Sequence, residues 1–304
     1  MKKIYQFSRN EGGVKALWHR KIERYLCRLN IKFSKERKHK MAVFANDFIS
    51  VKIFTEGIFE RIYLETLTEF LSFITKNKIK RMSALDIGAN IGNHSLFFAG
   101  YFKKVYSFEP HPITYKLLAF NTAPYKNIEI FNFGLGDKNK KINLYSKIAN
   151  IGASTSNHKD NHSKQKSIVQ IQTLDQCKLK LNNIGLIKID VEGMEFNVLK
   201  GGINLIKDQT PIVVFEQVEQ EFSSSIKETK TINFLKGLGY KFFWLEKQKN
   251  KNFWHFFQIF NPLKIINGEK IFYNIVTDKI VPKRIYEMLI AIPPRYINGS
   301  DSSL

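Results

Sequence analysis

Three groups of residues in this sequence have the types and spacing to do chemistry. The first is Asp86-Ile87-Gly88-Ala89-Asn90-Ile91-Gly92, where an apolar run ends in an acid followed by alternating small residues. Glycines at a strand-to-helix turn let a ligand approach the backbone, and a helix opening there offers unpaired N–H groups. A dinucleotide turn would read G-x-G-x-x-G. Here Asn90 stands at the second glycine, so the tight pyrophosphate turn is missing. An acid ahead of the glycines instead suits a ligand with an ammonium group and no phosphate. The second group is Phe108-Glu109-Pro110, with Glu109 placed 23 residues after Asp86. An acid at the end of the next strand, about 20 residues on, is the usual clamp for ribose hydroxyls. Taken together they fit S-adenosylmethionine, which carries an ammonium, a carboxylate, a sulfonium and a ribose. The plainer reading is that Asp86 and Glu109 only cap helices.

The third group is acidic. Asp190 and Glu192 follow the apolar run 184–189, and Glu216 nears the end of the apolar run 211–217. Ligands of open α/β sheets bind beyond the carboxyl ends of the strands, so three carboxylates are expected on one rim. An alcohol is a poor nucleophile until its proton leaves, and a positioned base contributes about 10²–10⁴-fold. Asp190 is the first candidate for that base and Glu192 the second, with Glu216 orienting the acceptor. Both Asp190 and Glu192 could instead cap the helix that follows, and His94 or His111 could serve as base. No ligand cluster with diagnostic spacing supports a metal, so none is expected.

These residues must be positioned by regular elements. From residue 83 onward, short apolar strands alternate with helices: strands at 83–87, 104–108, 128–133, 141–146, 168–172, 184–189, 211–217, 241–245 and 253–260, and helices at 93–101, 112–121, 194–207 and 228–238. That alternation predicts an α/β fold with a doubly wound, mostly parallel sheet. Upstream, 43–54 reads as strand and 58–76 as an amphipathic helix. The polar stretch 150–167 reads as a loop, either a lid over the site or an uninvolved surface loop. The aromatic residues Phe242, Phe243, Trp244, Phe253, Trp254, Phe256 and Phe257 read as core packing rather than a stacking platform.

At this point the sequence resembles a known family. The runs 85–94, 108–110, 173–175, 187–195 and 198–202, with 211–216 and more weakly 57–60, look like the FkbM-type S-adenosylmethionine-dependent methyltransferases. Lys188-Ile189-Asp190-Val191-Glu192-Gly193 is the most specific part, and the likeness covers about residues 42–220. It implies the class I methyltransferase fold, Rossmann-like, with a seven-stranded sheet whose last hairpin is antiparallel. It also implies methylation of a hydroxyl oxygen, commonly on a sugar or polyketide. Asp86, Gly88, Asn90 and Gly92 would then line the methionine part of the cofactor and Glu109 would hold the ribose. Gly134, Gly136 and Asp137 would lie by the adenine, although all three are equally good turn residues.

Composition bounds the partners. The chain has 304 residues, 43% hydrophobic and 25% charged, which excludes wholesale disorder. Its net charge is +21, from 48 Lys and Arg against 27 Asp and Glu. Nucleic acid, anionic lipid and charged glycan could each answer such a charge. A lysine- and asparagine-rich composition would also produce it without any partner. The excess is uneven: residues 1–40 carry +10, residues 41–240 only +6 and residues 241–304 +5. Residues 13–29 form a basic amphipathic helix that either packs on the protein or contacts a membrane peripherally. The expected organisation is a basic arm at 1–41, a methyltransferase domain at 42–262 and a C-terminal extension at 263–304. Cys27 and Cys177 are isolated, no run of 18 apolar residues exists and no apolar stretch follows Met1-Lys2-Lys3. A cytoplasmic protein is therefore expected.

The leading function is a methyltransferase acting on a hydroxyl of a bacterial surface glycan or its precursor. An RNA or ribose methyltransferase using the basic surface is the second reading. A non-catalytic membrane or glycan adaptor with a degenerate fold is the third. Neither the Asn/Asp-Pro-Pro-aromatic signature of base-amine methylation nor the cysteine of pyrimidine-carbon methylation occupies the position of Asp190, so an oxygen acceptor is the better reading. A glycan or small-molecule hydroxyl is the expected acceptor, and nucleic acid is a disfavoured partner.

Overall fold

A computed structural model describes residues 13–34, 39–45, 47–147, 150–155, 164–217, 228–247 and 273–297. The chain divides into two compact units, Met1–Arg61 and Ile62–Leu304. The first therefore runs well past residue 41, where the arm was expected to end. It holds helix α1 (Gly13–Ser34) and helix α2 (Phe48–Glu56). The strand expected at 43–54 is not formed, and α2 occupies most of it. Its end signals decide the matter: Asp47 Oδ2 accepts from Ser50 N at 3.0 Å and from Ser50 Oγ at 2.9 Å. At the other end Gly57, with φ 88°, closes the last turn on Ile53 O. Capping at both ends outweighs the β-branched look of the run.

The second unit begins in effect with α3 (Arg61–Ile74). Leu64, Leu67, Phe70, Leu71 and Ile74 form its buried face. The strands β1 (Ser83–Ile87), β2 (Lys104–Phe108), β3 (Ile128–Phe131), β8 (Ile184–Ile189), β9 (Ile212–Gln217), β10 (Lys241–Lys247), β11 (Tyr273–Thr277) and β12 (Tyr286–Ile292) make one eight-stranded sheet. Its order is β11-β10-β12-β9-β8-β1-β2-β3. From β3 to β9 the pairings are parallel, and β12 enters antiparallel between β9 and β10. This is the class I methyltransferase fold, with β11 added at the edge.

The crossovers are helices: α4 (Asn93–Ala99), α5 (Pro112–Thr122), α6 (Glu195–Gly201) and α7 (Ile203–Gln209), then α8 (Lys230–Gly237). The single helix expected at 194–207 is two, broken at Gly202. Leu85, Ile87, Ile187, Ile189, Val213 and Phe215 point to one face and bury with Val198, Leu199, Ile206, Ile232 and Leu235. Because strand side chains alternate, Ala84, Asp86, Leu186 and Lys188 point to the other face. Phe242, Phe243 and Trp244 are buried, as the core-packing reading expects. Phe253, Trp254, Phe256 and Phe257 lie outside the described residues.

Two further differences concern the expected loop and tail. Strands β4 (Gly134–Leu135), β5 (Lys140–Lys147), β6 (Asn150–Thr155) and β7 (Lys164–Gln172) form a second sheet in the order β4-β7-β5-β6. Strands thus occupy both ends of 150–167, while His158 and His162 fall outside the described residues. The antiparallel ladder from Lys140↔Ile171 to Lys147↔Lys164 is a backbone feature that polar side chains tolerate. The region beyond 262 also supplies β11, β12 and the short helix α9 (Pro294–Ile297). Residues 286–292 are central to the sheet, so the fold does not stop at the boundary expected at 262. Truncating the chain after residue 262 would remove β12 and leave β9 and β10 with unpaired inner edges. The fragment 42–262 is expected to aggregate or lack a cooperative unfolding transition by circular dichroism. A soluble fragment with a sharp transition would contradict this.

Candidate active site

The site is built on one register line across three strands. Asp86 of β1 pairs with Ser107 of β2 on one side and with Lys188 of β8 on the other. The three side chains therefore share a face. Asp86 is fully buried, and its Oδ2 accepts from Ser95 Oγ of α4 at 2.6 Å. Ser95 Oγ in turn lies 2.8 Å from Ser107 Oγ. The Lys188 ammonium, also buried, sits 3.6 Å from Asp86 Oδ1 and 3.1 Å from Asp190 Oδ2. Buried charges are tolerated only when paired, and here one ammonium serves two carboxylates. Burial works to raise the Asp190 pKa, but Lys188 and the nearby His94 outweigh it and hold the group below the ordinary carboxylate value.

The loop after β1 is locked to its neighbours. Gly88 has φ +81° and Gly92 φ +95°. A Cβ on Gly88 would lie 1.8 Å from the Asp190 carbonyl oxygen, and one on Gly92 would lie 2.9 Å from Leu118 Cδ1. The missing side chains thus make room for the β8 turn and for α5. Asn90, at φ 50°, donates its backbone N–H to Glu109 Oε2 at 2.9 Å. His111 N donates to Glu109 Oε1 at 2.8 Å. Asn132 Nδ2 holds the Glu109 carbonyl at 2.9 Å, fixing the turn from which the carboxylate projects. Burial pushes Glu109 up to about 7, against those two N–H donors and with the charges of Asp190 and Asp86 adding to the rise.

The turn after β8 carries the acceptor-side candidates. Glu192 and Gly193 both have positive φ, 55° and 92°. For a glutamate that backbone is strained. Buried Glu195 accepts from Val191 N at 3.3 Å and Gly193 N at 3.1 Å, which braces the turn. Glu192 is open to solvent, with its carboxyl partly enclosed. That enclosure, then Asp190 and Glu195, raises its pKa. Glu216 lies one residue beyond Phe215, which pairs with Ile189, so it stands on the same rim as Asp190.

The residues assigned to the adenine lie in and after β4, with Gly134 also close to Pro110. A Cβ on Gly134 or Gly136 would meet Ile171 at 2.7 or 2.8 Å, so both glycines pack β4 on β7. Asp137 lies 3.7 Å from Lys140 Nζ. Among the described residues no hydrogen bond or ion pair joins Asp137 to Glu109 or Asp190. His111 is the N-cap of α5, with Nδ1 toward Thr114, and burial lowers its pKa. That is a structural duty, although its Nε2 is buried without a hydrogen-bond partner. Lys188, Ser95, Asn132 and Glu195 were not singled out from the sequence. Lys188 had a signal: two residues before Asp190 in a strand, it must share that residue's face.

The arrangement fits an S-adenosylmethionine cradle. Glu109 keeps lone pairs for a diol after accepting its two N–H bonds. Asp86 Oδ1 is buried with no hydrogen bond of its own and only the ion-pair distance of 3.6 Å to Lys188, so it keeps acceptor capacity for a further donor. Two outcomes follow. Lys188→Met leaves two acids without their cation and should destabilise the fold by about 3 kcal/mol; Asp86→Asn added to it should recover part of that loss in urea unfolding. Glu109 must be ionised to hold ribose hydroxyls, and a proton competes below its pKa. Cofactor Kd from calorimetry should therefore be flat above pH 7 and rise up to about tenfold per unit below it. A pH-independent Kd would remove Glu109 from the cradle.

Comparison with known proteins agrees with this geometry. A protein-family model described as "Methyltransferase FkbM domain" matches residues 86–242. No curated protein matches the chain. Among solved structures, the FkbM methyltransferase of Methylobacillus flagellatus KT is 19% identical over 45% of this chain, with TM-score 0.33. The match spans 33% of that protein, about a third of its length. An rRNA methylase of Streptococcus thermophilus is 12% identical over 75% of this chain and 93% of its own, with TM-score 0.38. A Streptococcus mutans protein assigned as a methyltransferase, in complex with SAH, is 13% identical over 75% of this chain and 96% of its own, with TM-score 0.34. The family match covers half the chain and contains Asp86, Glu109, Lys188 and Asp190, so this chain belongs to the FkbM methyltransferase family, whose methyl donor is S-adenosylmethionine.

Proposed function

We propose that the enzyme methylates a hydroxyl oxygen, on a sugar of a bacterial surface glycan or of its precursor. What carries the reading is the braced carboxylate turn Asp190–Glu192 at the carboxyl end of β8, beside the Glu109 cradle. S-adenosylmethionine, when bound, supplies the methyl group from its sulfonium. The protein's part is to place an acceptor oxygen in line behind that methyl and to take its proton. Lys188 and His94 hold Asp190 below the ordinary carboxylate value against the effect of burial, which favours the ionised form that accepts a hydrogen bond from a hydroxyl. Glu192 projects from the strained turn and is the second acceptor of a proton. Glu216 would orient the acceptor from the neighbouring strand. Neither described cysteine suits carbon methylation: Cys27 is on α1, and buried Cys177 donates to Leu174 O at 2.9 Å. A lipid-linked precursor would bring the enzyme to the inner face of a cytoplasmic membrane as a peripheral protein.

Transfer of labelled methyl from S-adenosylmethionine to fractionated glycan, lipid, RNA and protein tests the acceptor. Label in the glycan or lipid-linked glycan fraction is expected; label confined to RNA would favour the phosphate-binding reading instead. Asp190→Asn should retain cofactor affinity while lowering the rate by about 10²–10⁴-fold. The pH profile separates the two carboxylates. With cofactor saturating at each pH, so that Glu109 does not set the acid limb, a Glu192 base would lose activity as pH falls through its raised pKa before an Asp190 base would. An Asp190 base would hold activity to lower pH, and Glu192→Gln would leave the acid limb in place.

A further inference from the structure

Helix α1 lies outside the chemistry, yet its surface is unusual. Val14, Leu17, Trp18, Ile22 and Tyr25 are 54 to 71% exposed. At 100° per residue they occupy one stripe of roughly 140°. Arg20, Lys21, Arg24 and Arg28 are also exposed: Arg24 and Arg20 flank the Leu17 edge of that stripe, Lys21 and Arg28 emerge within it on the same side, and Glu23 lies across the helix from it. Lys21 Nζ sits 5.3 Å from the centre of the Trp18 ring, so cation and aromatic share one edge. No described helix is long and apolar enough to cross a membrane. A helix of 22 residues with an apolar stripe, an interfacial tryptophan and a basic flank is built to lie on a surface rather than through it.

We propose that this face of α1 lies in the headgroup region of an anionic lipid membrane and anchors the enzyme there. Charge complementarity selects the lipid. The helix carries six basic residues and one acid, and each basic side chain near an anionic surface is worth about fivefold in binding. The stripe supplies apolar contact that a neutral surface would share, and the basic flank supplies the preference for negative headgroups. The inference goes beyond the methyl-transfer reading and needs no acceptor, so the two can fail separately.

The test is co-sedimentation of the full chain with vesicles. One set is phosphatidylcholine alone and the other contains about one-third phosphatidylglycerol, each at low and high salt. Binding to the anionic vesicles is expected, at least tenfold above phosphatidylcholine and weakened by salt. Leu17→Asp with Trp18→Asp should abolish it, and Lys21→Glu with Arg24→Glu should lower it at least tenfold. Both variants should keep the parent's cofactor affinity, which shows that the fold persists. No binding to anionic vesicles would overturn the proposal. So would a concentration-dependent dimer that the apolar variant dissolves, because a second copy would then cover the stripe. Equal binding to both vesicle types would overturn the choice of an anionic surface.

Discussion

The Lys188 ammonium is the constraint on which the rest of the site depends. It stands between Asp86 and Asp190, 3.6 and 3.1 Å away, in a place that water barely reaches. Two acids at the ends of adjacent parallel strands would repel each other and resist burial. With the lysine between them, the strand ends can close. That closure is visible in the backbone, where the Asp190 carbonyl occupies the space a side chain on Gly88 would need. The Asp190 N–H also bonds to Ile87 O at 3.0 Å, so the β1 and β8 turns form one unit. The β1 loop and the β8 turn are thus joined by an ion pair and a close backbone contact.

The same logic extends outward. Glu109 is tied to the β1 loop through Asn90 and to the start of α5 through His111. Gly201 of α6 packs against the turn after β4, where a Cβ would lie 1.9 Å from Gly136 O. Each loop at the rim is therefore set by a backbone contact with the next one. A side chain added at Gly88 or Gly201 would displace a turn rather than fill a void. Rigid placement of this kind suits a reaction whose rate depends on alignment.

The parts of the fold that were legible from sequence are those fixed by local pattern. The continuous apolar run 184–189 is the buried strand it reads as, and the glycines of 88–92 mark a turn from strand to helix. Four things were not legible. The segment 48–56 has strand-like composition, and caps at both its ends, Asp47 accepting from Ser50 and Gly57 closing on Ile53, make it a helix. The segment 286–292 has no periodicity of its own because both of its faces are buried within the sheet, and its partners β9 and β10 are distant in sequence. The ladder of β5 with β7 rests on backbone bonds, which polar residues do not advertise. The ion pair of Lys188 with Asp86 depends on the register of β8 with β1, which the sequence does not show. Local signals were readable, and long-range pairing was not.

The charge count can now be divided by location. On the proposed reading, a cationic donor faces a rim bearing Asp86, Glu109, Asp190 and Glu192. Four ionised carboxylates would hold such a donor tightly, and tight binding of a ground state does not itself speed a reaction. Lys188 cancels one of those charges. Glu109 and Glu192, both raised, need less free energy to take up a proton than ordinary carboxylates do. The rim is therefore less negative than its composition suggests, with Asp190 kept ionised beside the Lys188 ammonium. The positive excess of the chain has no part in this balance. Residues 1–40 carry +10 and residues 41–240 only +6, so the two tasks are separated along the chain. Attraction to a surface is assigned to α1, and a nearly balanced set of buried charges is kept for methyl transfer.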